Sequence, residues 1–109
     1  MPSYSRHDVV LVRYPFTDLS NLKVRPAIIV SVPHVSQDVL IVPLTSQTAS
    51  LLLGEFVLSD WQGAGLNVET AVKRGVYTLQ ENLIMKRVGK ISDSDSSRLD
   101  VSLHDWFGI

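Results

Sequence analysis

The sequence predicts one small, mainly β domain: a barrel of five or more short strands, closed or covered by a single C-terminal helix. Three observations predict it. The chain has 109 residues, the length of one domain. Short runs rich in Val and Ile recur along it, separated by Pro-, Gly- and Asn-containing turns. Only the final stretch carries apolar residues at helical spacing.

The elements follow in order. Val9-Val10-Leu11-Val12-Arg13-Tyr14 is rich in β-branched residues and is stopped by Pro15, as a strand would be. Residues 16 to 26 read as a loop or hairpin arm, because Thr17, Asp18, Ser20 and Asn21 favour turns through local side-chain hydrogen bonds. The run Ala27-Ile28-Ile29-Val30-Ser31-Val32 has no solvent face and predicts a central strand buried on both sides. Arg25 stands at the mouth of that strand, biased to extended backbone by Pro26. A turn over residues 33 to 38 leads to a second buried strand, Val39-Leu40-Ile41-Val42-Pro43-Leu44, which delivers Thr45, Ser46, Gln47 and Thr48 at its far end. Apolar residues at 51 to 53 and 55 to 58 predict a further strand after Gly54. Gly63-Ala64-Gly65 breaks the chain before a strand pair or bent strand over 70 to 72 and 76 to 79. In the last element, Ser92 or Ser94 suits the N-cap and Asp93 and Asp95 suit the positive end of a helix dipole. Leu99, Leu103, Trp106 and Phe107 then recur on one helical face.

Composition removes several function classes. With 45% hydrophobic and 19% charged residues the chain can bury one real core, which excludes disorder, and its length excludes a separate cofactor domain. No cysteine is present, so there is no disulfide framework, thiolate metal site or cysteine nucleophile, which fits a reducing cytosol. Residues 1 to 7 are polar and the apolar run after them is too short for a signal peptide, and no stretch approaches the ~20 apolar residues of a membrane span. His7, His34 and His104 lack the spacing of a metal site, and there is no G-x-S-x-G elbow for serine hydrolysis. Gly63-Ala64-Gly65 lacks the spacing of a nucleotide-binding fingerprint and reads as a turn. Ten basic against eleven acidic side chains give a net charge of -1, which argues against coating nucleic acid by bulk electrostatics but allows a local basic site. Residues 26 to 72 hold Asp38, Glu55, Asp60 and Glu69 with no Lys or Arg, whereas residues 73 to 91 hold Lys73, Arg74, Lys86, Arg87 and Lys90 against Glu81 alone.

What remains is a polar set at the ends of buried strands: Lys23 and Arg25 before one, and Thr45, Ser46 and Gln47 after the next. A guanidinium supplies planar, always-charged donors that match phosphate oxygens, and a neighbouring hydroxyl or amide adds neutral ones. The same residues have a structural reading too, with Arg25 pairing to Asp18 and residues 45 to 48 forming a capped turn.

These residues also resemble a family. Asp8-Val9-Val10-Leu11-Val12, Tyr14-Pro15-Phe16-Thr17-Asp18, Lys23-x-Arg25-Pro26-Ala27-Ile28-Ile29-Val30 and Val42-Pro43-Leu44-Thr45-Ser46-Gln47 are together similar to the MazF/PemK-like toxins. Ala64-Gly65-Leu66, Thr78-Leu79 and Val88-Gly89-Lys90-Ile91-Ser92 follow in the order of that family's later blocks, so the likeness spans residues 1–109 as one domain. The resemblance implies an SH3-like small β-barrel with a C-terminal α-helix, acting in the cytoplasm as a homodimer and as the toxin of a type II toxin-antitoxin pair. It implies a sequence-specific, metal-independent endoribonuclease that cuts single-stranded RNA to 2′,3′-cyclic phosphate and 5′-hydroxyl ends without a cofactor, inhibited by a cognate antitoxin protein. By motif, Arg25 and Thr45 would be the catalytic pair, and Phe16, Thr17, Lys23, Ser46 and Gln47 would contact RNA. Two positions depart from the family pattern. His7 stands where a Gly is usual, and Val72-Lys73-Arg74 stands where some members place an acid-base Asp before the strand of Thr78. A catalytically degenerate barrel that binds protein or nucleic acid is the alternative.

Overall fold

Antiparallel pairing of the apolar runs organises the chain. The computed structural model describes residues 4 to 13 and 23 to 109, so Phe16, Thr17 and the predicted hairpin arm lie outside the described residues. Seven strands and a C-terminal helix run in the order β1 (Asp8–Arg13), β2 (Val24–Ile29), β3 (Asp38–Thr45), β4 (Phe56–Val57), β5 (Ala71–Val72), β6 (Tyr77–Gln80), β7 (Ile84–Lys90) and α1 (Asp93–Phe107), with a 3-10 turn, Glu81–Leu83, between β6 and β7. All pairings are antiparallel, and the spatial order is β4-β5-β3-β2-β1-β7, with β6 also on β3.

The fold is mainly β with a C-terminal helix, as expected, but among the described residues the sheet stays open. β4 and β5 are two-residue strands, β4 paired with β5 and β5 with the end of β3, and no ladder joins them to β7. The expectation for the strands shifts in two places. β2 begins at Val24 and ends at Ile29, so Arg25 lies within a strand opposite Val12 rather than ahead of it, and Val32 is exposed. β7 was not among the elements read from periodicity, because only Ile84 of its seven residues is buried and the strand is bulged against β1.

The apolar runs without a solvent face are explained by two cores on opposite faces of the same sheet. Val9, Ile28 and Val42 point to one, together with Leu99 and Leu103 of α1. Val10, Ala27, Ile29 and Ile41 point to the other, together with Leu79 of β6 and Ile84 of β7. Successive side chains alternate across a strand, so a strand covered on both faces needs apolar residues at every position.

Helix α1 is seated by polar anchors as well as by Leu99 and Leu103. Ser92 is its N-cap, accepting from the Asp95 N–H at 3.1 Å, and Gly108 closes it at φ 72. Asp95 is fully buried. Instead of reaching back to its own cap, its carboxylate accepts from the Ser59 N–H and hydroxyl at 3.0 Å and from the Asp60 N–H at 3.3 Å, with Arg98 at 3.7 Å. Trp106 donates to the Leu53 carbonyl at 3.3 Å and Ser102 to that of Gly54 at 2.7 Å, while Phe107 is exposed, off the buried face on which the spacing places it.

The segment that Asp95 holds runs on to Gly65, whose φ of +87 favours glycine and whose Cβ, if present, would run into the Val88 carbonyl of β7. Helix, loop and β7 are thereby locked together. Asp95→Ala leaves two amide donors without their acceptor, and the expected loss is about 2–3 kcal/mol in urea unfolding.

Candidate active site

The β2–β3 ladder runs Ile29↔Ile41, Ile28↔Val42, Ala27↔Pro43 and then stops, although both strands continue. The next bond on this edge calls on the N–H of residue 26, and Pro26 has none. On its opposite edge β3 runs on, passing from β6, which pairs with Asp38 to Ile41, to β5, where Leu44 pairs with Val72 and Thr45 with Ala71 and the Pro43 carbonyl accepts from the Lys73 N–H at 3.0 Å. β2 stays with β1, where Pro26 faces Leu11 and Arg25 faces Val12. The two strands diverge, and a cavity of about 450 Å³ opens in the fork.

Continuing the register past Ala27↔Pro43 sets Arg25 opposite Thr45 across this fork. Both line the cavity, as do Ser46 and Gln47. Four sequence-predicted residues are therefore brought together. Lys23 is exposed just ahead of β2 and is not part of the lining. The lining residues that were not singled out from the sequence as site residues include the polar Asn67, Thr70, Lys73 and Tyr77. Lys73 follows directly on β5, the strand paired with the end of β3, so its place depends on a pairing that no local pattern reveals.

Local hydrogen bonding prepares the Thr45 side chain. Its hydroxyl oxygen accepts from the Gln47 N–H at 3.0 Å, which places the hydroxyl within the turn and leaves its own proton to donate. The following loop is tied across the cavity rim by Thr48, whose hydroxyl donates to Glu69 at 3.2 Å.

No Asp or Glu lines the cavity among the described residues, while Arg25 and Lys73 both do. Of the four carboxylates of the acidic segment, Glu69 is bound to Thr48 at the rim and the other three are engaged elsewhere. Glu55 accepts from the Leu52 and Arg74 N–H groups, Asp60 from Gly63, and Asp38 lies in a different cavity. The acidic bias of residues 26 to 72, read along the chain, therefore does not carry over to the site. Nor is there a group of three or more His, Cys, Asp or Glu among the described residues that could hold a metal ion. The cavity that contains Asp38, about 550 Å³, also takes in Arg6, Val30, Val32, His34 and Leu40 and includes none of the predicted site residues.

His7 lies away from the fork. Its N–H donates to the Ile29 carbonyl at 2.7 Å, at the opposite end of β2 from Arg25 and about 13 Å along the strand. It lines none of the cavities described, which leaves no geometric basis for a role as proton acceptor. Its φ of 79 accounts for the residue type usual at this position, because a left-handed backbone is what Gly adopts freely. Its Nε2 is buried without a hydrogen-bond partner among the described residues, 3.9 Å from Asp100.

Burial, reinforced by the nearby Arg6, holds the His7 imidazole below its ordinary value, with Asp100 acting in the opposite sense. The fold thus favours neutral His7, and the unfolded chain binds the proton more readily. That contribution to stability is complete above about pH 6.5 and is lost as pH falls through the folded value. Melting temperature measured from pH 7.5 to 5.5 should fall more steeply for the natural chain than for His7→Gly, which also relieves the left-handed backbone.

Comparison with known proteins bears on this geometry. Residues 5–107 match the family model for the PemK-like, MazF-like toxin of type II toxin-antitoxin system. MazF from Deinococcus radiodurans shares the fold with a TM-score of 0.79 at 17% identity, over 100% of both chains. An endoribonuclease in complex with its cognate antitoxin, from Mycobacterial species, gives 0.76 at 19% identity over 98% of this chain and 97% of that one. The Mycobacterium tuberculosis toxin MazF-mt6 gives 0.75 at 18% identity, over 94% of this chain and 97% of that chain. No curated protein matches the chain in sequence.

Proposed function

The chain belongs to the PemK-like, MazF-like toxin family of type II toxin-antitoxin systems, and from that premise we propose that it is a toxin that cleaves single-stranded RNA endonucleolytically, using the fork between β2 and β3. The observation that carries this reading is the fork itself: Arg25 and Lys73 share a cavity with the donor-ready Thr45 hydroxyl and with no carboxylate among the described residues. That is a site for a phosphodiester.

The chemistry that fits is internal transesterification. The ribose 2′-oxygen attacks the adjacent phosphorus, the bond from phosphorus to the 5′-oxygen breaks, and the ends are a 2′,3′-cyclic phosphate and a 5′-hydroxyl. One proton leaves the 2′-hydroxyl and one is delivered to the departing 5′-oxygen. Charge accumulates on the non-bridging oxygens, and preorganised donors stabilise it most in the transition state. Arg25 takes this part, because a guanidinium stays charged and presents a planar fork to two oxygens. Thr45 donates to the same phosphate. Ser46, Gln47 and Lys23 orient the strand, and Phe16 and Thr17, which the family motif assigns to RNA contact, lie outside the described residues. No metal or cofactor enters the mechanism.

The partners follow from the same surface. The chain acts in the cytoplasm as a homodimer, and its cognate antitoxin carries an acidic, partly apolar segment that competes with RNA for the basic groove. Val35, Leu53, Val101 and Phe107 remain exposed on the single chain, apolar surface that a second copy would cover. Light scattering at micromolar concentration should return twice the chain mass, and a monomer there would count against this assembly.

For the chemistry, purified protein should cut a mixed-sequence single-stranded RNA in the presence of chelator. Arg25→Ala should lower the rate by on the order of 10²-fold or more while the fold is retained. Arg25→Lys should recover only part of it, since the planar pair of donors is lost. Intact RNA after incubation with the natural chain would leave a degenerate, non-catalytic barrel as the better reading.

A further inference from the structure

The fork cavity does not end at Arg25 and Thr45. Pro26, Leu66 and Asn67 line it and also line a second cavity of about 500 Å³, whose other walls include Leu11, Val88, Lys86 and Arg87. The two form one continuous groove. Leu11 pairs with Pro26 on one side and with Lys86 on the other, so the three residues stand in a row across β2, β1 and β7. At ~4.8 Å per strand, Lys86 lies about 10 Å from Pro26. A nucleic-acid strand covers that distance in about three stacked nucleotides, or fewer when unstacked.

The second cavity repeats the chemistry of the first. Its lining holds Lys86 and Arg87 and no Asp or Glu among the described residues. Arg25, Lys73 and Lys86 therefore fall on one groove, although the net charge is -1. Arg87, the next residue, pairs with Val10 and turns to the other face of the sheet, where its Nε lies 2.9 Å from the carboxylate of the buried Asp8. Lys86 is exposed and has no ion-pair partner within reach among the described residues. The close crossing of Gly65 and β7 fixes the wall that joins the two cavities.

We propose that Lys86, at the end of this row, forms a second phosphate-binding subsite, which holds the RNA strand up to about three nucleotides from the scissile phosphate, with Asn67 at the junction between the two. This rests on the nuclease reading of the fork. An endonuclease cuts within a strand, so its substrate must leave the reacting centre in both directions, and this groove supplies one exit whose spacing and charge suit a phosphodiester backbone. Lys86 acts on binding and register and does not touch the reacting atoms.

The test maps the cut site in a mixed-sequence RNA, then resynthesises that RNA with progressive truncations on either side. For Lys86→Ala, KM on the full-length RNA should rise about five- to tenfold while kcat changes by less than twofold. That penalty should vanish as one flank, and not the other, is trimmed back. The slope of log affinity against log salt, measured on RNA with a 2′-deoxy sugar at the cut site, should fall by about one unit. Lys86→Glu should give a larger loss with the same flank dependence. An unchanged KM, an equal penalty on all truncations, or a loss confined to kcat would overturn the subsite. Weakened binding of the antitoxin with RNA affinity intact would overturn it too, assigning the surface to protein. Failure of the natural chain to cut RNA sinks the nuclease reading instead. The subsite is then judged on binding alone, where an unaltered salt slope in Lys86→Ala refutes it.

Discussion

The end of the β2–β3 ladder at Pro26 is the constraint on which the site depends. Alternate residues of a strand bond to the same neighbour, and where residue 26 would donate to β3, proline has no N–H to offer. Past Ala27↔Pro43 the two strands part, while the other edge of β3 passes from β6 to β5. The parting opens the cavity and leaves Thr45 opposite Arg25, and the ladder with β5 brings in Lys73. A site made in this way is held by two ladders rather than by a mobile loop, which suits chemistry that depends on preorganised donors.

The remainder of the fold keeps that fork rigid. Central strands apolar at every position are clamped between two cores, one completed by α1 and the other by β6 and β7. The buried Asp95 reaches out of the first turn of α1 to hold the Ser59 and Asp60 amides. The same segment then crosses β7 at Gly65 and delivers Leu66 and Asn67 to the groove. A helix at the end of the chain thus bears on a wall of the site without touching a ligand.

Electrostatics are sorted by the same packing. The chain is nearly neutral, and its acids outnumber its bases by one. Its carboxylates are spent on backbone amides and turns, as at Glu55, Asp60 and Asp95, or on Arg6 through Asp100. Asp8 takes up Arg87, and Arg25, Lys73 and Lys86 are left on a groove without carboxylates among its described lining residues. Local charge, not net charge, determines whether a phosphate is welcome there.

Much of this was legible in the sequence because it depends on local chemistry. The apolar runs beginning at 27 and 39 read as strands covered on both faces, which holds through Ile29 and over most of β3, and Ser92 with Asp93 and Asp95 marked the start of α1. Arg25 and Thr45 could be selected as residues at strand ends, and motif resemblance joined them. Tertiary structure alone decided the rest. β7 is exposed over most of its length and shows no apolar period, so only its ladder with β1 defines it. Phe107 follows the helical spacing but lies beyond the contact surface, and Asp95 could be read as a dipole partner but not as a buried clasp on residues 36 positions away. The handover from β6 to β5 along one edge of β3 was equally hidden, since hydrogen bonding between strands distant in sequence leaves no mark on the local pattern of either. The pattern of residues determined which strands would be buried; the pairing of those strands determined which polar side chains would meet.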